Sequence, residues 1–266
     1  MTWTVAVGNA AGSAGKSTSV VALAALLGLA GRKVVVLDAD AQASATVGLG
    51  VEPSECRVTV GDVLLRRATL TEALVETVVP GVRLVPASRG LDGHVQQLTG
   101  QRAAEQRLRL ALIDVDADIV LIDCPGSMSV VTVAALVAAD VAVTVAFPTS
   151  KEIDGIAEFM SLVKEVAEAY GEMECAAVIP CAVPARNRGG LYVAAMALLD
   201  AEGQAWSGLL TPQVRQSVKV PEAFANRLPL PVAFPQEAVT ADYRLVLDDL
   251  RRRGVLPSGE EVCRES

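Results

Sequence analysis

From residue 8 to residue 18 the chain reads Gly8-Asn9-Ala10-Ala11-Gly12-Ser13-Ala14-Gly15-Lys16-Ser17-Thr18. Small residues allow successive backbone N–H groups to turn inward around an anion, and a helix that starts there adds partial positive charge. In a loop of this kind Lys16 reaches the β- and γ-phosphates of a nucleotide, and the Ser17 hydroxyl ligates Mg²⁺. The pattern GxxxxGK[ST] is met at Gly15, Lys16 and Ser17, with Ala10 at its first glycine. A small-residue turn holding a chance lysine would read the same way in isolation, so the surroundings decide.

Two further segments carry acidic chemistry. Lys33–Asp38 (KVVVLD) is an apolar run that ends in a carboxylate and continues as Asp38-Ala39-Asp40-Ala41-Gln42. Asp118–Asp123 (DIVLID) repeats the design and continues as Cys124-Pro125-Gly126-Ser127. An aspartate after an apolar strand is often only the polar start of a loop. Two such strand ends beside one phosphate loop instead supply what phosphoryl transfer needs, carboxylates to hold a metal's hydration shell and to orient an attacking water. Cys124 has no base histidine to activate it and reads as a small buried filler.

The elements that must position these residues follow from periodicity. Trp3–Val7, Lys33–Asp38, Val82–Pro86, Asp118–Asp123, Val141–Phe147 and Cys175–Val183 read as strands. Lys16–Ala30, Gln96–Ile113, Ser129–Ala139, Ile153–Tyr170, Leu191–Ala201 and Tyr243–Arg253 read as helices. Strands alternating with helices of this length imply right-handed crossovers and a mostly parallel, twisted sheet with helices on both faces. Ligands of such α/β folds bind beyond the carboxyl ends of the strands. All three informative segments lie there.

Composition agrees. Of 266 residues 52% are hydrophobic, 20% charged and 3% aromatic, so one large core must be built mainly from Ala, Val and Leu. Residues 1–253 read as one domain and 254–266 as a polar tail. The net charge of −8 gives no general attraction to nucleic acid, so any such contact needs a local basic patch. Cys56, Cys124, Cys175, Cys181 and Cys263 show no metal-ligand spacing, and His94 is the single histidine; reduced thiols in a cytoplasmic protein are expected. The longest apolar stretch, Val130–Phe147, is broken by Thr132, Asp140 and Thr144 and reads as helix then strand, not as a membrane span. The first strand starts at once, without the charged region or cleavage site of a signal peptide.

Ala11-Gly12-Ser13-Ala14-Gly15-Lys16-Ser17-Thr18 aligns without gaps on the loop K-G-G-x-G-K-[ST]-[ST] of the ParA/MinD family of deviant P-loop ATPases, and the chain resembles the short ParA type. The likeness runs over about residues 3–252, including Val60–Leu64, Leu84–Ser88, Pro184-Ala185-Arg186 and Val214–Ala223. It implies that Gly12, Ser13, Ala14, Gly15, Lys16, Ser17 and Thr18 cradle ATP. Ser17, Asp38 and Asp123 would serve the Mg²⁺, with Lys16, Asp40 and Asp123 acting in hydrolysis. Within the loop two positions depart from the family pattern: Ser13 stands at the second glycine, and Ala11 stands where the family's signature lysine reaches the partner's nucleotide across an ATP-dependent homodimer; Pro184 further along replaces the family's Asp. Loss of that cation implies slow hydrolysis, because a well-placed cation is worth about 10³–10⁵ in rate. Some relatives that position cellular cargo also lack it.

By the same resemblance Arg186, Arg188, Arg215 and Lys219 are candidates for sequence-independent DNA binding, with Arg227 further out; solvated surface cations are the plain alternative. The implied activity is segregation of a plasmid or chromosome locus over the nucleoid, with a ParB-like partner stimulating hydrolysis. Positioning of a protein microcompartment, or a nucleotide-gated regulator with little turnover, are the other readings. The acidic tail lacks the apolar face of a membrane-docking helix, so no membrane partner is expected.

Overall fold

The computed structural model describes residues 2–11, 15–171, 173–184 and 208–257, together with 190, 193, 194 and 197. Seven strands form one sheet: β1 (Trp3–Gly8), β2 (Val34–Asp38), β3 (Val75–Glu76), β4 (Val82–Val85), β5 (Ile119–Asp123), β6 (Val141–Ala146) and β7 (Cys175–Pro180). Their order is β3-β4-β2-β5-β1-β6-β7. All pairings are parallel except β3 with β4, so the α/β reading holds and the short antiparallel strand closes one edge.

The central strands are apolar throughout because both faces are covered, and successive residues feed two separate cores. Val5, Val7, Val34, Val36, Ile119 and Leu121 pack on one side, with helices α1 (Lys16–Leu29) and α11 (Ala238–Arg252). Ala6, Val35, Leu37, Val120 and Ile122 pack on the other, with α7 (Val130–Ala138) and α8 (Ser150–Tyr170). Leucine, valine and alanine supply nearly all of this volume, and Phe159 and Tyr243 are the two largest fully buried side chains.

The region expected as one helix over 96–113 is instead two. The chain forms α5 (Leu91–Leu98), turns through Gly100 at φ 82° and Ala103 at φ 52°, and resumes as α6 (Arg107–Ala111). Two left-handed residues cannot sit inside an α-helix, which explains the break. The final helix starts at Ala238, ahead of the expected Tyr243. Short helices α2 (Ser44–Gly48), α3 (Val60–Leu64), α4 (Leu70–Ala73), α9 (Lys219–Ala225) and α10 (Leu230–Ala233) were not expected. After Arg253 the chain remains packed through Leu256, with Val255 and Leu256 buried and the Trp3 indole donating to the Val255 carbonyl at 2.9 Å. The helix expected over Leu191–Ala201 lies outside the described residues. No helix among the described residues is long and apolar enough to cross a membrane.

Candidate functional site

The phosphate-loop segment leaves β1 and enters α1 through Gly15, whose φ of 87° is left-handed and favours glycine. Lys16 opens the helix and is buried, its ammonium donating to the Ala11 carbonyl at 2.9 Å and the Asn9 carbonyl at 3.4 Å. Asn9, which sequence reasoning passed over, anchors the start of the loop. Its amide donates to the carbonyls of Val145 (2.7 Å) and Glu152 (3.3 Å), and its Oδ1 accepts the Ala11 N–H at 2.7 Å. The Ala10 N–H donates to the Gly155 carbonyl at 3.3 Å. A Cβ at Gly155 would lie 2.3 Å from Asn9 Oδ1 and 2.8 Å from the Ala11 nitrogen, so the glycine permits α8 to lie against the loop. A polar Asn directly after a buried strand was the available signal. Gly12, Ser13 and Ala14 lie outside the described residues.

Asp38 and Asp123 end adjacent parallel strands as register partners and are both fully buried. Asp38 is well served: its Oδ2 accepts from the Thr46 N–H (2.8 Å) and hydroxyl (2.7 Å), and its Oδ1 from the Asp40 N–H (3.1 Å). Burial nonetheless outweighs these bonds and lifts its pKa from 3.8 to about 6. Neither carboxylate oxygen of Asp123 has a partner at hydrogen-bonding geometry. Burial and the Asp38 carboxylate push its pKa well up, with Ser17 and Lys16 pulling the other way. Asp40 is half-buried and its Oδ1 accepts the Gln42 N–H at 2.9 Å.

A cleft of about 450 Å³ opens beside these strand ends. Gly15, Lys16, Ser17, Thr18 and Asp40 line it on the loop side, and Phe224 of α9 and Leu230 of α10 wall the other. The orphaned oxygens of Asp123 and the neighbouring Ser17 form a donor set that fits a hard, partly hydrated cation such as Mg²⁺. No group of three or more His, Cys, Asp or Glu side chains among the described residues is placed to hold a metal ion. Cys124 is fully buried, with burial raising its thiol pKa, and cannot serve as a nucleophile.

The basic candidates are less available than their sequence positions imply. Arg215 makes a bidentate pair with buried Asp242, at 2.6 and 2.7 Å, and its N–H donates to the same carboxylate at 3.0 Å. Lys219 donates to Glu222 at 2.8 Å and lies 4.6 Å from the centre of the Phe234 ring. Arg227 pairs with Glu52 at 2.8 Å. Arg186 and Arg188 lie outside the described residues.

A lysine-bearing strand-to-helix loop, flanked by carboxylates at neighbouring ends of a mostly parallel sheet, defines the P-loop class of nucleotide-binding folds. The AAA domain family model matches residues 2–174, and the chain belongs to the ParA/MinD family of P-loop ATPases. The chromosome partitioning protein ParA of Caulobacter vibrioides is 35% identical over 169 residues, covering 61% of this chain and 62% of that protein. The sporulation initiation inhibitor protein Soj of Bacillus subtilis is 32% identical over 167 residues, covering 61% and 65%. The chain thus spans under two thirds of these relatives' length. Among solved structures, cobyrinic acid a,c-diamide synthase from Mycobacterium smegmatis, with bound ATP analogue and magnesium, superposes with a TM-score of 0.81 at 26% identity over 96% of each chain.

Proposed function

We propose that the protein is a ParA-like ATPase. It binds ATP with Mg²⁺ at this cleft, closes as an ATP-dependent homodimer, and in that state binds DNA without sequence preference. A ParB-like partner stimulates hydrolysis and release, moving a plasmid or chromosome locus over the nucleoid in the cytoplasm. The carrying observation is the gathering of Lys16, Ser17 and Asp40 at one cleft beside the buried pair Asp38 and Asp123.

In this reading the loop N–H groups from Gly12 to Thr18 and the Lys16 ammonium bind the phosphates, and Ser17 and Asp123 serve the metal's coordination shell. A Mg²⁺ held there would supply positive charge against that developing on the transferred phosphoryl group. Asp38, from the next strand, supports the metal's hydration shell and ties the Asp40–Thr46 segment to the site through its hydrogen bonds. Asp40 orients the attacking water. Ala11 leaves the phosphates short of one cation, so turnover is slow.

Binding to non-specific duplex DNA, measured at fixed salt with ATP, with ADP and without nucleotide, tests this reading. Binding confined to ATP supports it. Binding in no state argues for a nucleotide switch whose target is a protein, as in cargo positioning or regulation. The pairing of Arg215 with Asp242 and of Lys219 with Glu222 favours that second reading. The mycobacterial neighbour's name raises amide synthesis; turnover that requires a carboxylic acid and a nitrogen donor, and ignores DNA, would favour that instead.

A further inference from the structure

Three segments of the chain carry the spacing of a helix capping box, in which an N-cap Thr and an acidic side chain three residues on satisfy each other's backbone N–H groups. Two of them form. The Thr59 N–H donates to Asp62 Oδ2 at 2.9 Å, and the Thr69 N–H donates to Glu72 Oε2 at 2.8 Å. The third, Thr149 and Glu152 at the start of α8, does not. Its Thr149 N–H is already given to the Phe147 carbonyl at 2.8 Å.

Released from the cap, Glu152 is turned into the protein. It is 6% exposed, and its Oε2 is buried with no hydrogen-bond partner. The same residue's carbonyl accepts from Asn9, and Gly155 one turn further on touches the loop at Ala10 and Ala11. The charged groups that face its carboxylate are Lys16 from α1 and Lys151 on its own helix. Burial raises its pKa and these two cations pull it back. It makes no ion pair with Lys16 as close as those at Arg215 or Lys219, so it acts on the ammonium through the field.

We propose that Glu152 is a positioning residue that competes with an incoming nucleotide phosphate for Lys16, and thereby lowers the affinity of the loop. This rests on the nucleotide-binding reading above. With Ala11 in the loop, Lys16 is the only cation between residues 8 and 18, so any charge that Glu152 draws from it is not made up within the loop.

The test is equilibrium binding of fluorescent ADP and ATP analogues with Mg²⁺ to the full chain, for wild type, Glu152→Gln and Glu152→Ala. Removing one unit charge near a buried cation corresponds to roughly tenfold tighter binding at pH 8. The gap between wild type and Glu152→Gln should close as the pH falls and the wild-type carboxyl protonates, a dependence that a purely structural role would not produce. Unchanged or weaker affinity in both folded variants, with wild type binding normally, overturns the role of Glu152 alone. Failure of wild type and variants to bind either nucleotide overturns the nucleotide reading together with it.

Discussion

Asp38 and Asp123 face each other in register across β2 and β5, yet only Asp38 is given hydrogen bonds. The two acids therefore share one buried space with unequal support. Placing both negative charges there costs free energy that a bound cation would recover.

Because the folded pKa of Asp38 is raised from 3.8 to about 6, its contribution favours folding below about pH 4 and is lost as the pH rises through 6. Asp123, raised by burial and by the Asp38 carboxylate, acts in the same direction. Thermal denaturation without nucleotide should show Tm falling between about pH 4 and 7, with Asp38 accounting for about 3 kcal/mol. A Tm that rises across this window contradicts the burial of the pair as uncompensated acids.

Asp123→Asn removes a buried charge whose oxygens have no partner at hydrogen-bonding geometry. We expect a higher Tm at pH 8 in nucleotide-free protein, by about 2–4 °C for each kcal/mol recovered. Steady-state phosphate release should fall to background. A variant that is less stable and still turns over would mean that the carboxylate serves the fold and not the metal.

Lys16→Ala should weaken nucleotide binding by about a hundredfold or more, since charge-assisted bonds to phosphate are lost, while circular dichroism stays that of the wild type. Gly155→Ala tests the support of the same loop from α8. Its new methyl would collide with Asn9 and the Ala11 nitrogen, costing about 1–3 kcal/mol in denaturant unfolding and weakening nucleotide binding as the loop shifts.

Arg215→Glu would place a second carboxylate against buried Asp242, so loss of DNA binding in that variant could reflect lost stability. Asp242→Asn is the cleaner change. It frees the Arg215 guanidinium, and DNA binding in the ATP state should strengthen, with the salt dependence steepened by about one phosphate contact. An unchanged slope would remove Arg215 from the DNA surface.

Much of the architecture was legible because its signals are local. Apolar runs such as KVVVLD and DIVLID can only be strands covered on both faces, and each delivers its aspartate to the same end of the sheet. The loop lysine falls at the start of α1, where its motif requires it. What escaped was either conformational or long-range. The charges along 96–113 mimic a helical face, but Gly100 and Ala103 turn left-handed and split it. The partner of Arg215 lies 27 residues further along the chain, and no local pattern announces such a pairing. Asn9 looked like one more small loop residue until its bonds to β6 and α8 were visible.

The helix that carries Lys16 is buried on most sides, with eleven of its fourteen residues buried. It has no soft face along which to slide or tilt without opening voids in the core beneath it. Its amides should be among the last in the molecule to exchange with deuterium. Whatever rearrangement accompanies ligand capture or release must then be borne elsewhere, by the Asp40–Thr46 segment and the α9–α10 wall of the cleft, while α1 serves as the fixed post against which they move.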